Sequence, residues 1–117
     1  FTRVSTDTIE KAGVGLTEQE AREQKIKYVI GREYYRNTAK GIALGEKHGF
    51  VKLIVDKKTK EILGCHIIGP EASLLLHEVV VAMKAGKNKA LDLLRDTVHV
   101  HPSLNEVVQR AALNVQL

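Results

Sequence analysis

The segment from Phe50 to Met83 reads FVKLIVDKKTKEILGCHIIGPEASLLLHEVVVAM, and it contains two different hydrophobic periods. Apolar residues alternate along Phe50–Asp56, and a second apolar run follows a polar turn at Lys57–Lys60. This pattern predicts a β-hairpin whose return strand is Glu61–Ile68. After the return strand the apolar spacing becomes helical, which predicts a long helix from Pro70 to Ala85.

The long helix is apolar on more than one side. Leu74 and Val81 lie away from its main stripe, which consists of Ala72, Leu75, Leu76, Val79, Val80 and Met83. A helix that is apolar on several sides is buried on several sides. We therefore expect part of this helix to pack against another chain, and we expect Gly86 to follow its C-terminus.

The residues before the hairpin contain a helix start between two strand-like runs. Thr17 and Glu20 have the spacing of a capping box, which predicts a helix that ends at about Gln24. Thr2–Thr6 alternates as an edge strand does, and Lys25–Ile30 is rich in residues that favour strands. The stretch from Gly31 to Gly49 is polar and gives no clear pattern.

The residues after the long helix predict two more helices. Asn88 is expected to cap a short helix that buries Leu91 and Leu94. The last helix is expected to begin at Pro102 and to bury Leu104, Val107, Val108, Ala111, Ala112 and Val115. Because strands dominate the first part and helices the second, the expected fold class is α+β with an antiparallel sheet packed against helices. Gly64 inside the return strand predicts a bulge or a close backbone approach.

Composition excludes several classes of protein. The chain has 117 residues, the size of one domain, and 44% of them are apolar. Lys and Arg exceed Asp and Glu by only 18 to 14, and the charges are interleaved, so no nucleic-acid partner is expected. The basic cluster Lys57–Lys60 is expected to be a solvated turn. No signal peptide or apolar run of membrane-spanning length is present, so no membrane partner is expected.

Cysteine and histidine usage points away from disulfide and metal sites. A single cysteine, Cys65, allows no intrachain disulfide, which fits a cytoplasmic location, and its strand position favours a buried structural thiol. His99 and His101 would lie on one face of a strand, but no cysteine or carboxylate cluster completes a ligand set, so no metal is expected. His66 and His77 are expected to be partly buried with hydrogen-bond partners.

The segment from His101 to Glu106 is the strongest candidate for chemistry. Pro102 holds His101 just before a helix, and the Glu106 side chain leans back toward the helix entrance. A carboxylate that fixes the tautomer of an imidazole is what a histidine acid/base needs. Taken alone, however, the spacing favours a plainer alternative, in which His101 caps the helix and Glu106 is a solvated acid of the first turn.

The same segment also resembles a known family. It reads HPSLNE and resembles the HPTLSE signature near the end of dihydrolipoamide dehydrogenases and its variants in glutathione and mycothione reductases. Gly49–Ile54 together with Ile62–Ala72 resembles the central hairpin and helix entry of these proteins, and Val14–Ala21 resembles a stretch near the start of the same domain. By these matches the chain is identified as the C-terminal dimerisation domain of a pyridine nucleotide-disulfide oxidoreductase.

The resemblance implies a role for the candidate pair. In this family the histidine reaches the active site of the other subunit, where it exchanges protons with a dithiol beside the flavin. By position, His101 would be the acid/base, Glu106 its orienting partner, and His101 and Pro102 would lie near the flavin. A homodimer acting on a small disulfide or dithiol substrate is therefore expected. Because the chain lacks a terminal cysteine pair, an organic disulfide is favoured over mercury as the substrate.

The cofactors implied by the resemblance are FAD and NAD(P), and neither is expected on this chain. Gly13-Val14-Gly15 is followed by Glu18 where a dinucleotide fingerprint needs a third glycine, and a redox cysteine pair is impossible. Since the chain starts at Phe1, we expect residues 1–117 to be a fragment that is inactive alone. Two alternatives remain, a non-enzymatic homodimeric interaction module of the same fold and, less favoured, a small metal-binding protein.

Overall fold

An antiparallel sheet is the centre of the computed structural model, which describes residues 2–5, 10–86 and 88–117. Along the chain its strands are β1 (Thr2–Ser5), β2 (Lys11–Gly15), β3 (Tyr28–Tyr34), β4 (Phe50–Asp56) and β5 (Ile62–Ile68). They are arranged in the order β1-β2-β5-β4-β3, and every neighbouring pair is antiparallel. The predicted edge strand is thus confirmed up to Ser5, and Thr6, its last predicted residue, lies outside the described residues.

Helices in the described residues number five, and two of them pack on one face of the sheet. They are α1 (Glu18–Glu23), α2 (Ala39–Ala43), α3 (Ala72–Lys84), α4 (Ala90–Asp96) and α5 (Asn105–Leu113). On one face, α3 packs on β5 and β2 while α5 packs on β3 and β4, and this layer holds the main core. The α+β fold class predicted from the sequence is confirmed. None of the helices that the structure describes has the length and apolarity needed to span a membrane.

The β4–β5 hairpin follows the alternation in the sequence. Val51, Leu53 and Val55 are fully buried in the main core, and the Lys57–Lys60 turn is exposed as predicted. Gly64 lies at an irregularity in the register, where Ile54 pairs with Gly64 and Val55 with Ile62. A Cβ atom at Gly64 would come within 2.0 Å of the Leu16 carbonyl oxygen. The bulge and the close backbone approach therefore occur together.

The predicted capping box is present at the start of α1. The Thr17 hydroxyl accepts from the Glu20 amide at 3.1 Å, and the Glu20 carboxylate accepts from the Thr17 amide at 3.1 Å. The strand expected at Lys25–Ile30 was placed too early, because β3 spans Tyr28–Tyr34. The residues between α1 and β3 instead terminate the helix. Lys25 has a left-handed backbone conformation, with φ of 58°, and its amide donates to the Arg22 carbonyl oxygen.

The stretch that gave no pattern in the sequence contains a buried aromatic residue. Tyr35 begins a short 3-10 turn after β3, and its side chain is fully buried. Its hydroxyl donates to the Pro70 carbonyl oxygen at 2.8 Å, and burial raises the pKa of this phenol. Tyr35 therefore links the end of β3 to the entrance of α3.

The start of α3 is capped by a residue from far away in the sequence. The helix begins at Ala72, two residues later than predicted, and no side chain of its own caps it. Instead, the Glu10 carboxylate accepts from the amides of Glu71 and Ser73, each at 3.1 Å, and from the Ser73 hydroxyl at 3.0 Å. A carboxylate at this position also interacts favourably with the helix dipole. At the other end, Gly86 follows the helix with a positive φ of 131°, as expected.

The last two helices bury the predicted residues but begin elsewhere. The apolar residues predicted for both helices are buried. Asn88 does not cap α4, because the Lys89 amide bonds to the Gly86 carbonyl and places Asn88 inside a turn. Pro102 likewise precedes α5 by three residues, because the Ser103 hydroxyl donates to the Val100 carbonyl at 2.6 Å and holds this segment as a turn.

Replacing Glu10 with Ala should lower the free energy of unfolding by about 0.5–2 kcal/mol, because two amides and a hydroxyl at the start of α3 lose their acceptor. Urea denaturation measures this loss. The matched control is Glu61→Ala, since the Glu61 carboxylate makes no hydrogen bond to any described residue. Equal losses in the two variants would contradict the capping role.

Candidate active site

The loop from Thr97 to Leu104 carries the candidate residues between α4 and α5. Leu104 is buried and anchors the end of the loop in the core. Val98 and Val100 are exposed to 94% and 75%, so their side chains add little to this anchoring. The His101–Pro102 peptide bond within the loop is cis. The loop therefore displays its middle residues at the surface between two packed helices.

His101 and Glu106 meet as the sequence predicted. The Nδ1 atom of His101 lies 2.8 Å from Oε1 of Glu106, and the Ser103 amide donates to the same oxygen at 3.2 Å. The hydrogen bond from His101 lowers the pKa of the Glu106 carboxyl; desolvation opposes this shift, and the Ser103 amide adds to it. An ionised carboxylate only accepts hydrogen bonds, so Nδ1 carries a proton.

The other ring nitrogen of His101 is directed to solvent. The His101 side chain is 70% exposed, whereas that of Glu106 is 16% exposed. Within the described part of the chain, Nε2 of His101 has no hydrogen-bond partner. The pair therefore combines an accessible nitrogen with a partly buried carboxylate that fixes the ring. An imidazole held in this way is suited to take up and release a proton.

His99 does not share a face with His101, contrary to the expectation for a strand. Residues 97–100 are not in a strand, and the His99 imidazole turns inward, where it is 5% exposed. It bonds to the Glu78 carboxylate and, through Nδ1, to the Thr97 carbonyl at 2.9 Å. In the residues that the structure describes, His, Cys, Asp and Glu side chains nowhere form a group of three or more suited to a metal ion.

Two further histidines, His66 and His77, differ in their burial. His66 is partly buried, and its Nε2 lies 2.9 Å from the Leu16 carbonyl oxygen, as expected. His77 is exposed on α3 and has no hydrogen bond to the described residues, so the expectation of a partly buried residue was wrong there. The spacing of α3 explains this result, because His77 lies on the same side as the exposed Leu74 and Val81.

Glu78 is a site residue that the sequence analysis missed. One of its oxygens contacts His99, and the other accepts from the Asn105 side-chain amide at 2.9 Å. The sequence did contain a signal for Glu78, because this acidic residue lies within the apolar run of α3. A charged residue there is retained only with partners, but the sequence does not show that these partners lie 21 and 27 residues away.

An apolar surface adjoins the loop. Leu74 and Val81 on α3 are exposed to 67% and 57%, and Leu93, Val98 and Val100 are exposed as well. A groove of about 460 Å³ runs between α3, α4 and the loop and is lined in part by Val81, Leu93, Val98 and Val100. These five residues are called the apolar surface below. A clustered apolar patch of this kind marks an interaction site.

Cys65 lies in the core. It is fully buried in β5, where it pairs with Val14 on one side and Leu53 on the other. Burial raises the pKa of its thiol, and the nearby charge of Glu78 raises it further. The predicted structural thiol is confirmed as buried, and a thiol in this setting is a poor nucleophile.

Comparisons with known proteins agree on one family. A family model described as "Pyridine nucleotide-disulphide oxidoreductase, dimerisation domain" matches residues 3–112. A dihydrolipoyl dehydrogenase of Rhizobium etli is 41% identical over 103 residues, which cover 88% of this chain and 21% of the relative. A dihydrolipoyl dehydrogenase of Chlamydia trachomatis is 38% identical over 104 residues, which cover 89% and 22%. The chain thus spans about a fifth of the length of these relatives.

Solved structures share the fold. A Cu(II) complex of the HOCl-induced flavoprotein disulfide reductase RclA from Escherichia coli matches with a TM-score of 0.85 and 25% identity, over 97% of this chain and 25% of that chain. LpdA from Mycobacterium tuberculosis matches with a TM-score of 0.85 and 24% identity, over 97% and 24%. The similarity covers nearly all of this chain and a quarter of each solved chain.

In the native protein, the Cys65 thiol should react with iodoacetamide at least about a hundredfold more slowly than in urea, because reaction requires opening of the core. The mass of the peptide that contains Cys65 reports the extent of alkylation over time. The urea-unfolded chain at the same pH is the control. Comparable rates in the two states would show that the thiol is accessible.

Proposed function

The chain belongs to the pyridine nucleotide-disulphide oxidoreductase dimerisation-domain family, and on that premise we propose that it is the interface domain of a flavin-dependent disulfide oxidoreductase. The complete enzyme would act on a small disulfide or dithiol, as the similarity to dihydrolipoyl dehydrogenases and disulfide reductases suggests. The observation that carries this proposal is the His101–Glu106 pair, displayed on a loop beside the apolar surface.

FAD and NAD(P) would be held by modules outside this chain and would supply electron transfer between nicotinamide and disulfide. The Gly13–Gly15 segment does not fit a dinucleotide fingerprint, because both glycines lie inside β2 and pair with His66 and Gly64 of β5. A dinucleotide fingerprint instead forms the turn between a strand and a helix. This chain would therefore contribute a proton-transfer group, and other modules would contribute the cofactor-binding sites.

His101 would move the proton that thiol–disulfide chemistry requires. A substrate thiol becomes a nucleophile only as the thiolate. Nε2 of His101, with its lone pair free, would accept the thiol proton, and the resulting imidazolium would return it when a thiolate is protonated in the reverse step. Glu106 stabilises the imidazolium through the hydrogen bond from Nδ1, at 2.8 Å. The proton is conserved in this exchange, and neither residue changes oxidation state.

The apolar surface would bind a second copy of the chain. It combines residues of α3, α4 and the His101 loop, so a partner covering it would come to lie directly beside His101. Interface cores are depleted in charged residues, and the five exposed side chains of this surface are all aliphatic. A homodimer formed here would place the imidazole at the boundary between subunits, where it could serve the partner's reaction site.

His101→Ala in the complete oxidoreductase should lower kcat by about a hundredfold or more, the usual contribution of a general acid/base. Steady-state kinetics with a small disulfide or dithiol measures the loss. His48→Ala is the matched control, because His48 is exposed and lies before β4, on a different part of the chain. Unchanged turnover in the His101 variant would favour the non-enzymatic interaction module instead.

Val81→Asp should weaken self-association by about tenfold or more, because a carboxylate would be buried in the interface without a partner. Sedimentation over a range of concentrations measures the dimer dissociation constant. Ile42→Asp is the control, since Ile42 on α2 is similarly exposed, at 66%, but lies outside the apolar surface. Equal dissociation constants for the two variants would place the interface elsewhere.

A further inference from the structure

One carboxylate, that of Glu78, contacts both ends of the segment that carries His101. Its Oε2 atom contacts Nε2 of His99, and its Oε1 atom accepts from Nδ2 of Asn105 at 2.9 Å. His99 precedes His101 by two residues, and Asn105 is the first residue of α5, next to Glu106. The His101 segment is therefore contacted before and after His101 by a single side chain of α3, and the second contact lies next to Glu106.

These contacts are partly buried, whereas the His101 side chain is largely exposed. The His99 imidazole is 5% exposed and the Glu78 side chain 25%, compared with 70% for His101. From Thr97 to Pro102, His99 is the one residue that is not exposed. A hydrogen bond to a charged group is stronger away from water. The partly buried contacts of Glu78 therefore restrain a loop whose other side chains up to Pro102 are exposed.

The hydrogen bonds of His99 also fix its orientation. Its Nδ1 atom lies 2.9 Å from the Thr97 carbonyl oxygen, which can only accept, so Nδ1 carries a proton. Its Nε2 atom contacts the Glu78 carboxylate, so both ring nitrogens of His99 have partners. A ring held at both nitrogens cannot rotate without losing a hydrogen bond, which costs free energy.

We propose that Glu78 is a positioning residue for the His101–Glu106 pair, because it contacts His99 and Asn105, which lie on either side of His101 in the chain. The inference rests on the proposed function, in which His101 transfers a proton. Glu78 itself does not touch the reacting atoms. It determines where the loop presents Nε2 of His101, and a displacement of about 1 Å in such a group can reduce a rate by about a hundredfold.

Glu78→Ala and Glu78→Gln in the complete oxidoreductase test this role. The Ala variant removes both contacts, so kcat should fall at least about tenfold while KM stays within about twofold. The Gln variant should retain kcat within about threefold, because its amide can accept from Asn105 and donate to a neutral His99. If the Gln variant is as impaired as the Ala variant, the two hydrogen bonds do not position the loop.

Glu18→Ala is the matched control for a general loss of stability. Glu18 has a side chain of similar exposure, 27%, and binds Lys52 and Tyr28 on the other face of the sheet. We expect its thermal midpoint to fall as that of Glu78→Ala does, with kcat unchanged. If Glu78→Ala fails to fold, Asn105→Ala replaces it, since it removes one of the two contacts and should lower kcat several-fold.

A second readout does not depend on turnover. Histidine-selective ¹⁵N NMR of the same variants reports whether Nδ1 of His101 remains hydrogen-bonded to Glu106, and the signal should broaden or shift in Glu78→Ala but not in Glu18→Ala. An unchanged signal, together with kcat equal to that of Glu18→Ala, would overturn the positioning role. If His101→Ala lowers kcat a hundredfold in that case, the proposed function stands; if it does not, the proposed function itself fails.

Discussion

Burial of the apolar face of α5 against the sheet is the constraint on which the candidate site depends. Val107, Val108, Ala111 and Ala112 are all fully buried. The approach is close enough that a Cβ atom at Gly31 of β3 would lie 2.2 Å from the Ala111 carbonyl oxygen. Since Glu106 immediately precedes this face, packing of the helix sets the position of its carboxylate. The acid that holds His101 is thus placed by the core and not by the loop.

The site is also supported by α3, through Glu78. The charged side chains around the His101 loop differ in how far they are buried. Glu78 contacts His99 in a partly buried position, where a carboxylate without a partner would be costly. Glu106 is partly buried and His101 is largely exposed. Restraint therefore comes from partly buried contacts, while the His101 side chain stays accessible. A histidine on the same loop without these contacts would sample many orientations and would spend less time in a productive one.

What the sequence revealed depends on how local each interaction is. The hairpin, the capping box at Thr17 and the meeting of His101 with Glu106 involve short separations and regular periods, so they were predictable. The cap that Glu10 places on α3 spans more than sixty residues, and no pattern predicts it. The contact of Glu78 with His99 is likewise tertiary. The predicted strand began too early, because the left-handed turn at Lys25 lies in a segment whose composition favours strands.

Because His101 lies beside the apolar surface, the proposed dimerisation would change the surroundings of its imidazole. In the isolated chain, the His101 imidazole is mostly in water, where its attraction to Glu106 is weakened by the solvent dielectric. In the proposed dimer, a partner covering Val98 and Val100 would exclude water from the neighbouring imidazole. The hydrogen bond between Nδ1 of His101 and Glu106 would then be stronger, because it would lie in a medium of lower dielectric. Assembly would in this way strengthen the pair to which we assign the proton transfer.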